Sequence, residues 1–282
     1  MTNPSQPIVI YTDLDGTLLG KGGSLFRTAA GEFTMAGAEG LRVCSELGVR
    51  LCFCSGRSAK LLGEDARLLG VDSFIAEAGC VLVRERGDTV VLNCAPFGEK
   101  KGVTVFEEIG STGAPALLFQ HFGEKLAYHA PWHRDHGFSH LMRGQIDTAM
   151  ADELLARQGL NELKVLDNGI MEDRGYGMPV NELHAYHLIP RQAGKGSAIR
   201  LDLELSGISS REAIACGDSP QDLEMAAAVR RLYLMANAAD NHSGLIEMLP
   251  GYKNVKLLAV SMVEGFREVV RRELENGAGD NP

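Results

Sequence analysis

The chain has 282 residues, 45% of them hydrophobic and 23% charged, which is the composition of an ordinary globular protein with room for one large or two modest cores. A net charge of −9 argues against nucleic acid or an anionic membrane as partner, because both call for a basic surface. It leaves an anionic small molecule open, since a metal and a few cations make one pocket attractive on a negative protein. Five of the six cysteines fall in or beside apolar runs, and Cys52-Phe53-Cys54 lacks zinc-knuckle spacing, so the thiols read as small buried hydrophobes of a reduced, cytoplasmic protein. Residues 1–7 carry no basic stretch and the apolar run at 8–11 is too short for a signal or a membrane span.

In chain order, an apolar strand at 8–12 leads into Asp-Leu-Asp-Gly-Thr, and a helical pattern at 35–47 stops at Gly48. A second apolar strand, 49–54, breaks into Ser55-Gly56-Arg57, and a helix over 58–69 ends at Gly70. Short strands are expected at 74–76 and 81–84. Alternation resumes late, with a helix at 195–205, a strand at 213–216, a helix at 220–229, a strand at 231–235 and an amphipathic helix at 262–274. Such alternation predicts an α/β fold, a doubly wound and mostly parallel sheet covered on both sides. Between 85 and 188 the texture changes, with strand-like pieces near Val90, Leu117, Leu141, Val165 and Tyr186 and helices at 103–109 and 148–158. Seven of the eight histidines and Trp132 lie there. This stretch is expected to be an inserted α+β cap over a core formed by 1–84 and 189–282, with 276–282 a frayed polar tail.

Four short motifs carry chemistry. Asp13 and Asp15 close the first strand; residues two apart on a strand point the same way, so the pair is expected to share one edge, repel, and divide into a nucleophile and a proton carrier. Gly217-Asp218-Ser219-Pro220-Gln221-Asp222 supplies hard carboxylate oxygens of the kind Mg²⁺ accepts. Ser55-Gly56-Arg57 offers a hydroxyl and amides near a helix start for phosphate oxygens. Gly194-Lys195-Gly196 offers an ammonium between two glycines that admit close backbone. Asp13, Asp15, Asp218 and Asp222 against Lys195 leave about −3 in one cleft, which calls for a metal. Mg²⁺, with Asp15 protonated, brings that site to about zero.

In this order the motifs resemble those of the haloacid dehalogenase superfamily, in the branch with a large α/β cap that includes Cof-type, sucrose-phosphate, trehalose-phosphate and mannosyl-3-phosphoglycerate phosphatases. The resemblance covers both core segments and reaches the cap only by position. It implies a phosphatase that works through a phosphoryl-aspartate on Asp13, with Asp15 as acid and base. Ser55, Gly56 and Arg57 would hold the phosphoryl group and Lys195 would bridge it to the nucleophile. Magnesium would be held by Asp13, the backbone carbonyl of Asp15, and Asp218, with Asp222 a ligand or a neighbour of one. The implied partner is a small phosphorylated metabolite, a sugar phosphate or glycosyl-phosphoglycerate, with a phosphomutase or a catalytically lapsed sugar-phosphate-binding regulator as alternatives.

Two departures stand out: Gln221 where relatives often carry Asn, and Ala78-Gly79 where they carry Asn-Gly. In the cap, Arg143, Lys164, Arg174 and His187 are candidates for gripping the leaving group. His129, His133, His136 and His140 tempt a zinc reading, but Pro131 and Gly137 interrupt any helix that would align them, which favours a solvated loop.

Overall fold

A computed structural model describes residues 7–171, 173–242 and 244–275; the polar tail at 276–282 lies outside them. Its strands are β1 Val9–Thr12, β2 Arg50–Cys54, β3 Ser73–Ala76, β4 Val81–Arg84, β5 Thr89–Leu92, β6 Leu126–Tyr128, β7 His140–Gly144, β8 Leu163–Ile170, β9 His184–Pro190, β10 Ala213–Gly217, β11 Arg231–Leu234 and β12 Val255–Leu257. The helices are α1 Ala36–Glu46, α2 Ala59–Leu69, α3 Val105–Ser111, α4 Ala114–Phe122, α5 Thr148–Arg157, α6 Lys195–Ser206, α7 Leu223–Ala226, α8 Asn237–Asn241, α9 Leu245–Met248 and α10 Met262–Val270.

Eight strands form one sheet in the order β12-β11-β10-β1-β2-β3-β4-β5. It is parallel from β12 to β3 and antiparallel at the β4 and β5 edge. Alternation along the central strands sends side chains to both faces. Ile10 and Phe53 pack with Val43, Leu62 and Phe266 from α1, α2 and α10, while Val9, Tyr11, Cys52 and Cys54 pack with Ala198, Ile199 and Leu203 from α6. Each Val, Leu, Ile or Phe among them contributes about 1.5–3 kcal/mol by leaving water. All six cysteines are buried and unpaired. Local signals set the helix ends: the Ser58 hydroxyl accepts from Leu61 N at the start of α2, and Gly70 closes it at φ 71°.

A second, wholly antiparallel sheet, β6-β7-β9-β8, carries α3, α4 and α5 and forms the cap with a core of its own. The strand near Val90 is β5, which pairs with β4 in the large sheet, so that sheet runs past residue 84, where the insertion was expected to begin. The apolar run around Leu117 is helix rather than strand. Gly113 at φ 79° and Pro115 in the first turn start α4 there, and a short continuous apolar run carries no periodicity to tell the two apart. The helix expected at 220–229 is shorter, a 3₁₀ turn Pro220–Asp222 followed by α7, because Asp222 turns back to cap its own loop. No helix among the described residues is long and apolar enough to cross a membrane.

Candidate active site

The carboxyl ends of β1, β2 and β10 meet the start of α6. Asp13 N donates to Cys216 O at 2.9 Å, and the chain then turns sharply, with Thr17 N and Leu19 N both donating to Leu14 O. Gly16 stands at φ +86°, and a Cβ there would lie 2.0 Å from Asp218 Oδ2. Glycine is needed on both counts, since the motif-one turn passes directly under the Asp218 carboxylate. Across the cleft, Cβ atoms on Gly194 and Gly196 would fall 2.4 Å from Glu224 Oε2 and 2.3 Å from Glu224 O. The glycines therefore let α6 press on α7 and bring Lys195 inward.

Lys195 is 2% exposed, and its Nζ donates to Asp13 Oδ1 and Asp222 Oδ1, each at 2.7 Å. The other oxygen of Asp222 accepts from Asp218 N, Ser219 N and Ser219 Oγ at 2.8–3.0 Å. Asp222 is thus fully engaged in fixing Lys195 and the loop. Asp218 accepts from Thr17 Oγ1 at 3.2 Å and Asn237 Nδ2 at 2.9 Å; Asn237 Nδ2 also reaches Gly16 O, and its Oδ1 takes Met262 N. Thr17, the last residue of the Asp-Leu-Asp-Gly-Thr motif, had no role of its own in the sequence reading, and Asn237 is a part of the site that no local pattern marks.

Oxygens of Asp13, Asp218 and Asp222 lie within 4.8 Å of one another, the one such cluster among the described residues. Burial lifts the Asp13 carboxyl to about 7, against the pull of Lys195 and with help from the charges of Asp222 and Asp15. Asp218 is raised well above the usual carboxylate range by burial and by Asp13 and Asp222. For Lys195, burial acts downward, but the two carboxylates more than reverse it, and the amine stays charged. Closely set, buried carboxylates with too little positive charge fit a hard divalent cation, and Asp13, Asp218 and Asp222 are the residues that could hold it.

Asp15 does not share this edge as a strand residue would. β1 ends at Thr12, and the turn that follows sends the Asp15 side chain to Arg57, whose Nε and Nη2 lie 2.9 and 2.7 Å from its two oxygens. Arg57 Nη1 reaches Asp65 at 2.7 Å. Arg57, expected to touch phosphate, here spans the carboxylates of Asp15 and Asp65. Ser55 is buried at the end of β2, its Oγ accepting from Arg57 N at 3.2 Å. Gly56 lies beneath the cap: a Cβ there would be 2.9 Å from His187 Nε2 and from both polar atoms of Asn168. Gln221 is buried with Nε2 unpartnered.

Of the four cap candidates, His187 is brought to the site. Arg143 is turned within the cap, donating to Ala130 O and lying 3.9 Å over the Tyr176 ring. Lys164 sits 3.8 Å from Glu224, and Arg174 enters as a charge felt at His129. Among the described residues the remaining cap histidines join no group of metal-ligating atoms, although His133 and His140 both stack on Tyr128. His140 binds Tyr128 and Phe106 O, and His136 faces Ser139. Glu77, in the loop where relatives carry Asn-Gly next in line, is fully buried and accepts from Gly137 N, Phe138 N and Ser139 Oγ, tying core to cap.

Fold and site together define a capped α/β chain with a buried lysine–carboxylate cluster at the carboxyl ends of its central strands. Residues 172–248 match the family model of haloacid dehalogenase-like hydrolases. The chain is 26% identical over 220 residues to a phosphoglycolate phosphatase of Metallosphaera sedula, covering 77% of this chain and 80% of the relative. It is 28% identical over 219 residues to a phosphoglycolate phosphatase of Pyrobaculum neutrophilum, covering 78% of each. The fold is that of a sucrose-phosphatase from Synechocystis, solved with sucrose and phosphate, at TM-score 0.62 and 15% identity over 95% of this chain and 98% of that one. The chain is thus similar to haloacid dehalogenase-like hydrolases, and the two curated relatives it matches are phosphatases.

Proposed function

We propose that this phosphatase hydrolyses a small sugar or polyol phosphate through a phosphoryl-aspartate on Asp13, with magnesium held by Asp13 and Asp218. The observation that carries this reading is the buried contact of Lys195 Nζ with Asp13 Oδ1 at 2.7 Å, beside an Asp218 carboxylate under-supplied with positive charge. Lys195 orients Asp13 for attack on phosphorus and draws charge from the phosphoryl oxygens. Ser55 and the Gly56 amide receive that phosphoryl group at the end of β2. Asp15 passes a proton to the departing alcohol and takes one from the attacking water, which requires it to leave its pair with Arg57; Arg57 acts as its positioning residue. Asp222 serves by holding Lys195 and the 218–219 amides, not as a ligand. Asp13 and Asp218 would hold a cation that, when bound, would supply positive charge against the phosphoryl oxygens. The stretch between β5 and β9 selects the leaving group and excludes water when it closes.

The test is phosphate release from a panel of sugar phosphates, polyol phosphates and phosphoglycolate, with Mg²⁺ or with EDTA. Asp13→Asn is expected to abolish turnover in a folded protein, and EDTA to silence the wild type reversibly. Wild-type rates in Asp13→Asn would overturn the covalent route.

A further inference from the structure

A second set of buried polar groups lies where β3 ends beneath the cap. Glu77 is fully buried and accepts from Gly137 N at 3.0 Å, Phe138 N at 2.9 Å and Ser139 Oγ at 2.9 Å. Ser139 Oγ also lies 3.0 Å from His136 Nδ1 and 3.2 Å from His187 Nδ1. A hydroxyl has a single hydrogen, and a carboxylate that accepts from two amides has none to give. The Ser139 hydrogen therefore goes to Glu77, and His187 must donate to Ser139 through Nδ1, while His136 Nδ1 lies between Ser139 Oγ and Glu77 Oε2, at 3.0 and 3.3 Å. His187 is fully buried, and burial, followed by the nearby charges of His136, Lys195 and His129, holds it well below the usual histidine range and so neutral. A neutral ring protonated at Nδ1 leaves Nε2 a bare acceptor.

That acceptor has no hydrogen-bond partner in the protein. It faces Gly56, with the Asn168 carboxamide at the same 2.9 Å from the point a Gly56 Cβ would occupy. An unmet buried acceptor costs free energy that a donor would recover. Resting on the phosphatase reading above, we propose that His187 Nε2 and Asn168 form the leaving-group subsite, in which Nε2 accepts a hydrogen bond from a hydroxyl on the alcohol being released. The subsite opens as the cap lifts from Gly56. It selects hydroxylated phosphates, polyol or sugar, and disfavours phosphoglycolate, whose carboxylate brings further lone pairs against Nε2. Glu77 and Ser139 act as positioning residues that set the tautomer.

The experiment compares kcat/KM on glycerol 3-phosphate, propyl phosphate and phosphoglycolate, and reads the His187 tautomer by ¹⁵N NMR. The wild type should prefer glycerol phosphate over propyl phosphate by about tenfold to a hundredfold. His187→Leu should erase that preference by lowering glycerol phosphate about tenfold to a hundredfold more than it lowers propyl phosphate. Ser139→Ala should weaken the preference and release the ring to its other tautomer, while wild-type His187 reads as Nδ1–H. An active wild type with no hydroxyl preference, a lead for phosphoglycolate, or an Nε2–H ring overturns the subsite and leaves the phosphatase reading standing. A wild type silent on all three compounds overturns both.

Discussion

Without a bound cation, the protein's stability should depend on pH with a sign set by Asp13. Burial, opposed by Lys195 and reinforced by Asp222 and Asp15, holds this carboxyl at about 7 rather than 3.8. Between those values the folded chain keeps a proton that the unfolded chain has lost, so stability falls as pH rises through the interval and is retained below it. At about 1.4 kcal/mol per pH unit the interval amounts to about 4 kcal/mol, a large share of the 5–15 kcal/mol typical of a folded domain. Asp218, raised for the same reason, acts in the same direction. A cation between the two carboxylates lowers both, so Mg²⁺ should stabilise far more at about pH 8 than at about pH 5. Thermal unfolding with EDTA should place the melting temperature about 10 °C lower at the higher pH, relative to Asp13→Asn under the same conditions. Asp13→Asn, having no carboxyl to titrate there, should lose most of the dependence. A chelated wild type that gains stability over Asp13→Asn as pH rises, or an equal Mg²⁺ gain at both pH values, would refute the account of the cluster.

Three substitutions probe the groups around it. Asp222→Asn keeps an oxygen for the 218–219 loop but takes from Lys195 one of its two buried carboxylates; a loss of about 3 kcal/mol in urea unfolding is expected, with turnover down more than tenfold. Arg57→Leu frees Asp15 and Asp65; because these groups are partly exposed, stability should change by about 1 kcal/mol or less, and a kcat that fails to drop by about tenfold would remove Arg57 as a positioning residue. Glu77→Ala strands two amides and a hydroxyl at about 1–3 kcal/mol each, and limited proteolysis should then cut within 93–183 well before the core; cleavage no faster than in the wild type would count against a core-to-cap tie.

The core was legible because its chemistry sits at element ends that local residues announce. Ser58 caps α2, Gly70 stops it, and Gly194 and Gly196 open α6 around Lys195. What joins those ends is not local: Lys195 meets Asp13 across 182 positions of sequence, and the resemblance to known phosphatases, not any spacing, predicted the meeting. The supports were invisible for the same reason. Asn237 begins a short helix after β11 and reaches back 221 positions to Gly16 O, and nothing in its neighbours distinguishes it from a solvated amide. Asp15 failed a rule that holds only inside a strand. Once Leu14 O takes two turn amides, the period of two is gone, and the nearest guanidinium decides where the carboxylate points.

The cap resisted reading because its functional groups are selected by what they face, not by type. Arg143 and Lys164 look like substrate cations and are spent on Tyr176, Ala130 and Glu224, whereas Asn168 has no distinguishing sequence context and lies on Gly56. The one sequence signal was the departure at 77–79. Glu77 and Ala78 both stand at positive φ, 49° and 58°, a region that costs a side-chain-bearing residue about 1–2 kcal/mol. Such a backbone persists only where its surroundings hold it. Here the Glu77 carboxylate, with three cap donors around it, supplies that hold, and the same three bonds turn Ser139 toward His187. The strain at the end of β3 and the orphan acceptor over Gly56 are therefore two ends of one hydrogen-bonded chain, so relaxing the loop should change which substrates the cap admits.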